Sequence, residues 1–104
     1  MIVEVTGPDE VRLLQTEDLR RLSVVMARRV GDADVDEALG HAGAGHVDGD
    51  HVRVSIGWLR VQVSDRPDPY LDRFAEMIAY ADSRGWVDQG QQTVKAHVDR
   101  EAVA

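Results

Sequence analysis

Histidines and aspartates are concentrated in the twelve-residue stretch "GHAGAGHVDGDH", residues 40–51. It holds three of the four histidines of the chain, His41, His46 and His51, together with two aspartates. Imidazole and carboxylate groups are common ligands of zinc, and they are also the usual groups of general acid–base catalysis. The stretch therefore raises two hypotheses, a metal site and a proton-transfer site.

The same stretch predicts a β-hairpin. Asp48-Gly49 stands between two short alternating segments, and Asp-Gly is a strong hairpin signal because both residues tolerate positive φ. With these two residues as the loop, His46 would lie directly opposite His51, with Cβ atoms about 4.5–5.5 Å apart. Because side chains alternate along a strand, Arg53 would share the solvent-facing side with both histidines.

We predict neither a metal nor a cofactor at this hairpin. A zinc site needs a third protein ligand, but Asp48 lies in the turn and His41 precedes the hairpin by several residues. A solvated histidine pair is the interpretation we favour. No glycine-rich loop follows a strand and opens a helix, and no serine stands in a G-x-S-x-G pattern. The sequence thus gives no motif for phosphate cradling or for a serine nucleophile.

The first half of the chain predicts a strand and two helices. Alternation in "MIVEVT" is typical of a strand, and Pro8 is placed to lead the turn after it. Apolar residues at three-and-four spacing predict an amphipathic helix over 16–30. Asp34 followed by Glu37 is a capping-box pattern for a short helix over 34–40. The outer face of the longer helix would carry four arginines, Arg20, Arg21, Arg28 and Arg29, for which we favour a solvated face over the alternative of an anion-binding patch.

The parity of the apolar positions changes after the hairpin. Val52 and Val54 are at even positions, whereas Leu59 and Val61 are at odd ones. We attribute this change to a β-bulge at Gly57-Trp58 within one long strand, and a second tight turn is the alternative. A tryptophan beside a bulge either fills space in the core at the sheet edge or is exposed, where its ring can contact a ligand or partner.

The last third of the chain predicts a helix and a closing strand. An apolar stripe that includes Phe74 predicts a helix with Asp68 as the cap and Pro69 at the first helical position. Gly85 is placed to end this helix in a left-handed conformation, onto which Trp86 would fold back. Alternation over 93–99 then predicts the last strand.

These elements predict an α+β fold and a single domain over 1–104. The order strand–helix–strand–strand–helix–strand favours a ferredoxin-like βαββαβ two-layer sandwich, with an antiparallel four-stranded sheet covered by two helices on one face. A different α+β roll with another strand order is the alternative. In the ferredoxin-like order, Glu4 is the only carboxylate expected to approach His51. His46 and His97 would lie at opposite edges, roughly 14 Å apart.

Composition narrows the possible partners. The net charge of −7 repels a phosphate backbone, so we predict no nucleic acid partner. Small acidic ligands are disfavoured less, because one arginine can reverse the local sign. No apolar run approaches the length of a membrane span, so we predict no membrane partner. The absence of cysteine suits a reducing cytosol, and we expect a cytoplasmic protein.

The sheet face without helices is the candidate ligand or interface surface. We expect a small cytoplasmic binding or protein-interaction domain of unknown ligand, acting as a homodimer or accessory partner without catalysis of its own. The partner would be a second copy, another protein or a small molecule. The alternative is a cofactor-free enzyme of the dimeric α+β barrel type, with a sheet-face histidine as proton acceptor. The candidate residues are Glu4, His46, His51, Arg53, Trp58 and His97.

Overall fold

The computed structural model of the chain describes residues 1–7, 10–27 and 30–100. Within these residues the chain forms seven strands and three helices. The strands are β1 (Ile2–Gly7), β2 (Glu10–Leu14), β3 (Ser23–Met26), β4 (Gly45–Asp48), β5 (His51–Ser55), β6 (Val87–Asp88) and β7 (Thr93–Arg100). The helices are α1 (Asp32–Ala42), α2 (Ile56–Gln62) and α3 (Asp68–Ser83).

The strands form one mixed sheet that curls into a half-barrel. Its order is β2-β1-β3-β7-β5-β4, and the short β6 also pairs with β7. β1, β3 and β7 run parallel to one another, while β2 and β5 are antiparallel to their neighbours. The last strand of the chain therefore lies inside the sheet, between β3 and β5.

One face of this sheet forms the core together with all three helices. The strands contribute alternate buried side chains, Val3, Val5, Val24, Met26, Val52, Val54, Val94 and Ala96. The helices contribute Val35, Ala38, Leu39, Ile56, Leu59, Phe74 and Ala81 to the same cluster. Since strand side chains point alternately to the two faces, the residues between the buried strand positions lie on the opposite face, which α1, α2 and α3 leave open.

The predicted ferredoxin-like sandwich with four antiparallel strands is wrong. Its first error is the helix over 16–30, since residues 23–26 form β3 and pair with both β1 and β7. In the short run "SVVM", Val24 and Met26 are buried, and a helical spacing fits the same apolar residues by coincidence. Pairing on both sides of a central strand outweighs the weak local preference for helix. Two residues of the predicted helix, Arg28 and Arg29, lie outside the described residues, as does the turn position Pro8.

The predicted β-bulge at Gly57-Trp58 is also wrong, because the strand ends there and a helix begins. The Ser55 hydroxyl accepts a hydrogen bond from the backbone N–H of Trp58, 3.1 Å away, which caps α2. Leu59 and Val63 are fully buried on one helical side, whereas Val61 is 68% exposed. The change of parity is a change from strand to helix.

Other expectations are confirmed by the structure. The first strand, the helix predicted over 34–40, the helix predicted between Asp68 and Gly85, the hairpin and the last strand are all present, with helix boundaries that differ by at most two residues. The predicted caps Asp34 and Asp68 are wrong, because the N-cap residues are Gly31 for α1 and Pro67 for α3. Gly85 has a φ of +79°, and the N–H of Trp86 donates to the carbonyl of Ala81, 2.9 Å away. β2 has no counterpart in the sequence prediction and extends the sheet beyond β1.

The assignment of α2 can be tested with two alanine substitutions. We expect Leu59→Ala to lower the free energy of unfolding by about 2–5 kcal/mol, because it leaves a cavity in the core. Val61→Ala should change it by less than about 0.5 kcal/mol, because this side chain is in water. Urea denaturation measures both. A strand over these residues would point both side chains the same way, so equal large losses would contradict the helix.

Candidate functional site

The hairpin of β4 and β5 has a different register from the predicted one. Gly49, with a φ of +60°, and Asp50 are the loop residues, so Asp48 lies opposite His51. His46 then lies opposite Arg53, and the predicted direct pairing of His46 with His51 is wrong. Because the register moves by two residues, the side chains keep the predicted face, and the two histidines are diagonal neighbours.

On the β7 side of β5, the direct cross-strand neighbour of His51 is His97. The sequence prediction placed Glu4 beside His51, but Glu4 lies on β1, which β3 and β7 separate from β5. Three strand spacings amount to about 14 Å, and Glu4 instead forms an ion pair with Arg12 on β2. The observed strand order therefore joins two histidines that lie far apart in the sequence.

Backbone hydrogen bonds show which pairs between β5 and β7 have the closest side chains. The N–H of Ser55 donates to the carbonyl of Ala44, 2.7 Å away, on the β4 side of β5. The N–H of Lys95 donates to the carbonyl of Trp86, 2.8 Å away, on the β6 side of β7. Odd-numbered residues of the two strands thus direct their backbone groups away from each other. They form the non-hydrogen-bonded pairs, whose side chains approach most closely in an antiparallel ladder.

Two of these non-hydrogen-bonded pairs bring basic side chains together. Arg53 lies opposite Lys95, and His51 lies opposite His97. Like charges directly opposite each other destabilise a sheet. Four basic groups are thus concentrated on two adjacent strands of the open face.

Carboxylates compensate only part of this positive charge. Arg53 lies 3.3 Å from the Asp48 carboxylate and also donates to the carbonyl of Trp86, 3.2 Å away. The His97 ring lies 3.1 Å from the Asp99 carboxylate. In the part of the chain that the structure describes, Lys95 has no ion-pair partner. It is also the sole lysine of the sequence.

Lys95, His97 and Asp99, together with His51, border a groove of about 440 Å³ on the open face. The wall opposite β5 is formed by residues 20–23 and the wall beside β6 by Trp86. Three permanent cations face one carboxylate in this lining, although the whole chain has a net charge of −7. The lining residues are Arg20, Arg21, Leu22, Ser23, His51, Trp86, Lys95, His97 and Asp99.

The segment between β2 and β3 places the two arginines at the groove. The amino group of Met1 donates to the carbonyls of Asp18 and Arg21, at 2.6 and 3.0 Å, and burial lowers the pKa of this amine. The N–H of Arg20 donates to the Asp18 carboxylate, 3.1 Å away, which lowers the pKa of that carboxyl. The backbone of this segment is therefore fixed, while the Arg20 side chain is 93% exposed.

A second attachment joins the beginning of this segment to α3. The Tyr70 hydroxyl donates to the carbonyl of Thr16, 2.6 Å away, and partial burial raises the pKa of Tyr70. Arg66 donates to the Thr16 hydroxyl, 3.0 Å away, and its guanidinium lies 5.7 Å from the centre of the Tyr70 ring. α3 thus positions the segment that carries the arginines.

Trp86 gives the groove an aromatic wall. Trp86 is 38% exposed. Its ring packs edge-to-face against the ring of Tyr80, with the two ring centroids 6.0 Å apart. The guanidinium of Arg84 lies 5.6 Å from the centre of the Trp86 ring. The left-handed Gly85 and the short β6 hold this indole beside Lys95.

The predicted site residues are distributed unevenly around the groove. His51 and His97 line it, and Arg53 lies beside it. His46 is on the neighbouring strand, opposite Arg53, and Trp58 packs against the core from α2. Alternation along β7 places Lys95 on the open face, but the sequence prediction did not include it among the candidate residues. Arg20 and Arg21 were interpreted as part of a solvated helix face, because their segment was predicted to be helical.

Three further findings concern the class of site. Among the described residues, no group of three or more histidine, aspartate or glutamate side chains could hold a metal ion. No helix in the described ranges is long and apolar enough to cross a membrane. Comparison with protein-family models, curated proteins and solved structures finds no match for the chain.

The attachment of residues 15–22 to α3 can be tested at Tyr70. Tyr70→Phe should lower the free energy of unfolding by about 1 kcal/mol at pH 7, because one hydrogen bond is lost. A raised tyrosine pKa stabilises the fold below the ordinary value near 10, and this contribution is lost as pH rises through the folded value. The difference between the two proteins should therefore shrink in urea denaturation above about pH 10.

Tyr80→Phe is the matched control, since Tyr80 is 59% exposed. It should leave the free energy of unfolding at pH 7 within about 0.5 kcal/mol of the original value. Equal effects of the two substitutions would contradict a specific role of the Tyr70 hydroxyl.

Proposed function

We propose that the protein is a small binding domain that holds an organic anion in the groove between β7 and residues 20–23, without catalysis of its own. The observation that carries this proposal is the pairing of Arg53 with Lys95 next to the pairing of His51 with His97. Both pairings lie at directly opposite cross-strand positions, where side chains of opposite charge would stabilise the sheet more.

Electrostatics support an anion as the ligand. A bound anion would offset the repulsion between the basic side chains and would accept hydrogen bonds from them, and hydrogen bonds to charged groups contribute about 1.5–3 kcal/mol each. Arg21 and Lys95 approach the groove from different walls and lack ion-pair partners among the described residues. They are the primary candidates for contact with the anion.

The remaining lining supports an apolar or aromatic body on the same ligand. Leu22 and the indole of Trp86 line the groove next to the cations. Ligand sites commonly combine apolar walls with a few polar groups that fix orientation. An aryl or acyl anion would contact both kinds of surface.

The groove is open to solvent, which favours binding over proton-transfer catalysis. The side chain of His97 is 71% exposed. The alternative enzyme needs a concave, water-excluded site around His51 or His97. A partner, either a second copy of the chain or an accessory protein, and a cytoplasmic location are part of the proposal.

Phenyl phosphate, with benzyl alcohol as its neutral counterpart, tests the proposal by amide NMR. We expect phenyl phosphate to shift the signals of residues 20–23, 51, 86 and 95–97, and benzyl alcohol to leave them unchanged. Arg21→Gln and Lys95→Gln should each weaken binding about tenfold, because each removes a charged hydrogen-bond donor.

Arg60→Gln is the matched control, since Arg60 is an exposed cation on α2 outside the groove. It should leave the affinity unchanged. Equal weakening in this variant, or shifts spread over the whole surface, would mean that the anion is attracted without a site.

A further inference from the structure

We infer that the groove selects a phosphate monoester dianion over a monoanion and takes up a proton on the His51–His97 pair when the dianion binds. This inference rests on the proposed function and specifies the ligand class of the same site. It follows from the position of the two imidazoles and from the charges around them.

The two imidazoles are close enough to influence each other's charge. They form a non-hydrogen-bonded pair, for which Cβ atoms lie about 4.5–5.5 Å apart. Histidine is the side chain whose charge changes most readily near neutral pH. Two imidazolium ions at this distance repel each other, and negative charge added beside the rings offsets this repulsion.

The charged groups that face the pair leave room for added negative charge. β4 contributes Asp48, β5 contributes Arg53, and β7 contributes Lys95 and Asp99. The segment before β3 contributes Arg20 and Arg21, and the groove residue from β3 is the uncharged Ser23. These groups amount to four permanent cations and two carboxylates, of which Asp48 pairs with Arg53 and Asp99 with His97 itself.

A dianion matches this arrangement better than a monoanion. A phosphate monoester carries a charge of about −1.5 to −2 at pH 7 and presents three acceptor oxygens, whereas a carboxylate carries one charge and two oxygens. The groove lining offers donors from the His51–His97 pair and Lys95 on the sheet, and from Arg21 and Ser23 on the wall beyond β7. These donors are numerous enough to bind three oxygens, and the additional charge favours protonation of the histidine pair.

Isothermal titration calorimetry with phenyl phosphate, phenyl sulfate and benzoate tests the inference at pH 7.5. Phenyl sulfate has the tetrahedral shape but carries a single charge. We expect phenyl phosphate to bind about tenfold more tightly than either monoanion, a free-energy difference of about 1.4 kcal/mol. Repeating the titration in two buffers with different ionisation enthalpies should reveal uptake of up to about one proton with phenyl phosphate.

Histidine variants assign the proton. His51→Asn and His97→Asn should each remove most of the proton uptake while phenyl phosphate still binds through Lys95 and Arg21. Two variants are used so that a folding defect in one, detected by thermal melting, leaves the other to decide. His46→Asn is the matched control, because His46 lies on the same hairpin but outside the groove lining.

The outcomes separate the inference from the proposed function. Equal binding of phosphate and monoanions without proton uptake would overturn the inference and leave an anion-binding groove. Binding of none of the three probes would overturn both. Loss of proton uptake in the His46→Asn variant, to the same extent as in the other two, would overturn the assignment to the His51–His97 pair.

Discussion

The insertion of β7 between β3 and β5 is the constraint on which both the core and the groove depend. Val94 and Ala96 of this strand are buried in the core, while Lys95 and His97 lie on the open face. The same strand therefore completes the hydrophobic cluster and brings its basic residues beside those of β5. A strand added at an edge could have satisfied its backbone on one side only, and it would not have joined the two halves of the chain.

The open face combines features that a purely structural sheet would avoid. Cross-strand positions opposite each other are where complementary charges stabilise a sheet, and Arg53 opposite Lys95 does the reverse. Local departures from the arrangement best for stability are expected where a protein binds something. The single lysine of the chain occupies such a position, and the ammonium has no ion-pair partner within the described ranges.

Local signals in the sequence were sufficient for much of the fold. Alternation identified β1 and β7, Asp48-Gly49 identified the hairpin, and the apolar stripe identified α3. β3 was missed because its four residues also fit a helical spacing, and only pairing with two neighbours decides between them. Ser55 before an apolar run is a capping signal for α2 that the sequence does contain.

The site was less predictable than the elements, because it depends on strand order. Parity alone placed His51 and Arg53 on the wet face, and that placement is independent of the topology. The pairing of His51 with His97 follows from the register of β5 against β7, which no local pattern specifies. Once residues 16–30 were assigned to a helix, the sheet lacked a strand, and the neighbours of β7 were necessarily wrong.

The central claim is that the Arg53–Lys95 pair serves ligand binding at the expense of stability. The most direct test is the free energy of unfolding of the ligand-free Lys95→Thr protein at low salt. Threonine favours strands, and its substitution removes the like charge opposite Arg53. The account predicts that the free energy of unfolding rises by up to about 1 kcal/mol in urea denaturation, and that added salt reduces the gain. A decrease in the free energy of unfolding would mean that Lys95 stabilises the fold, which would contradict the central claim.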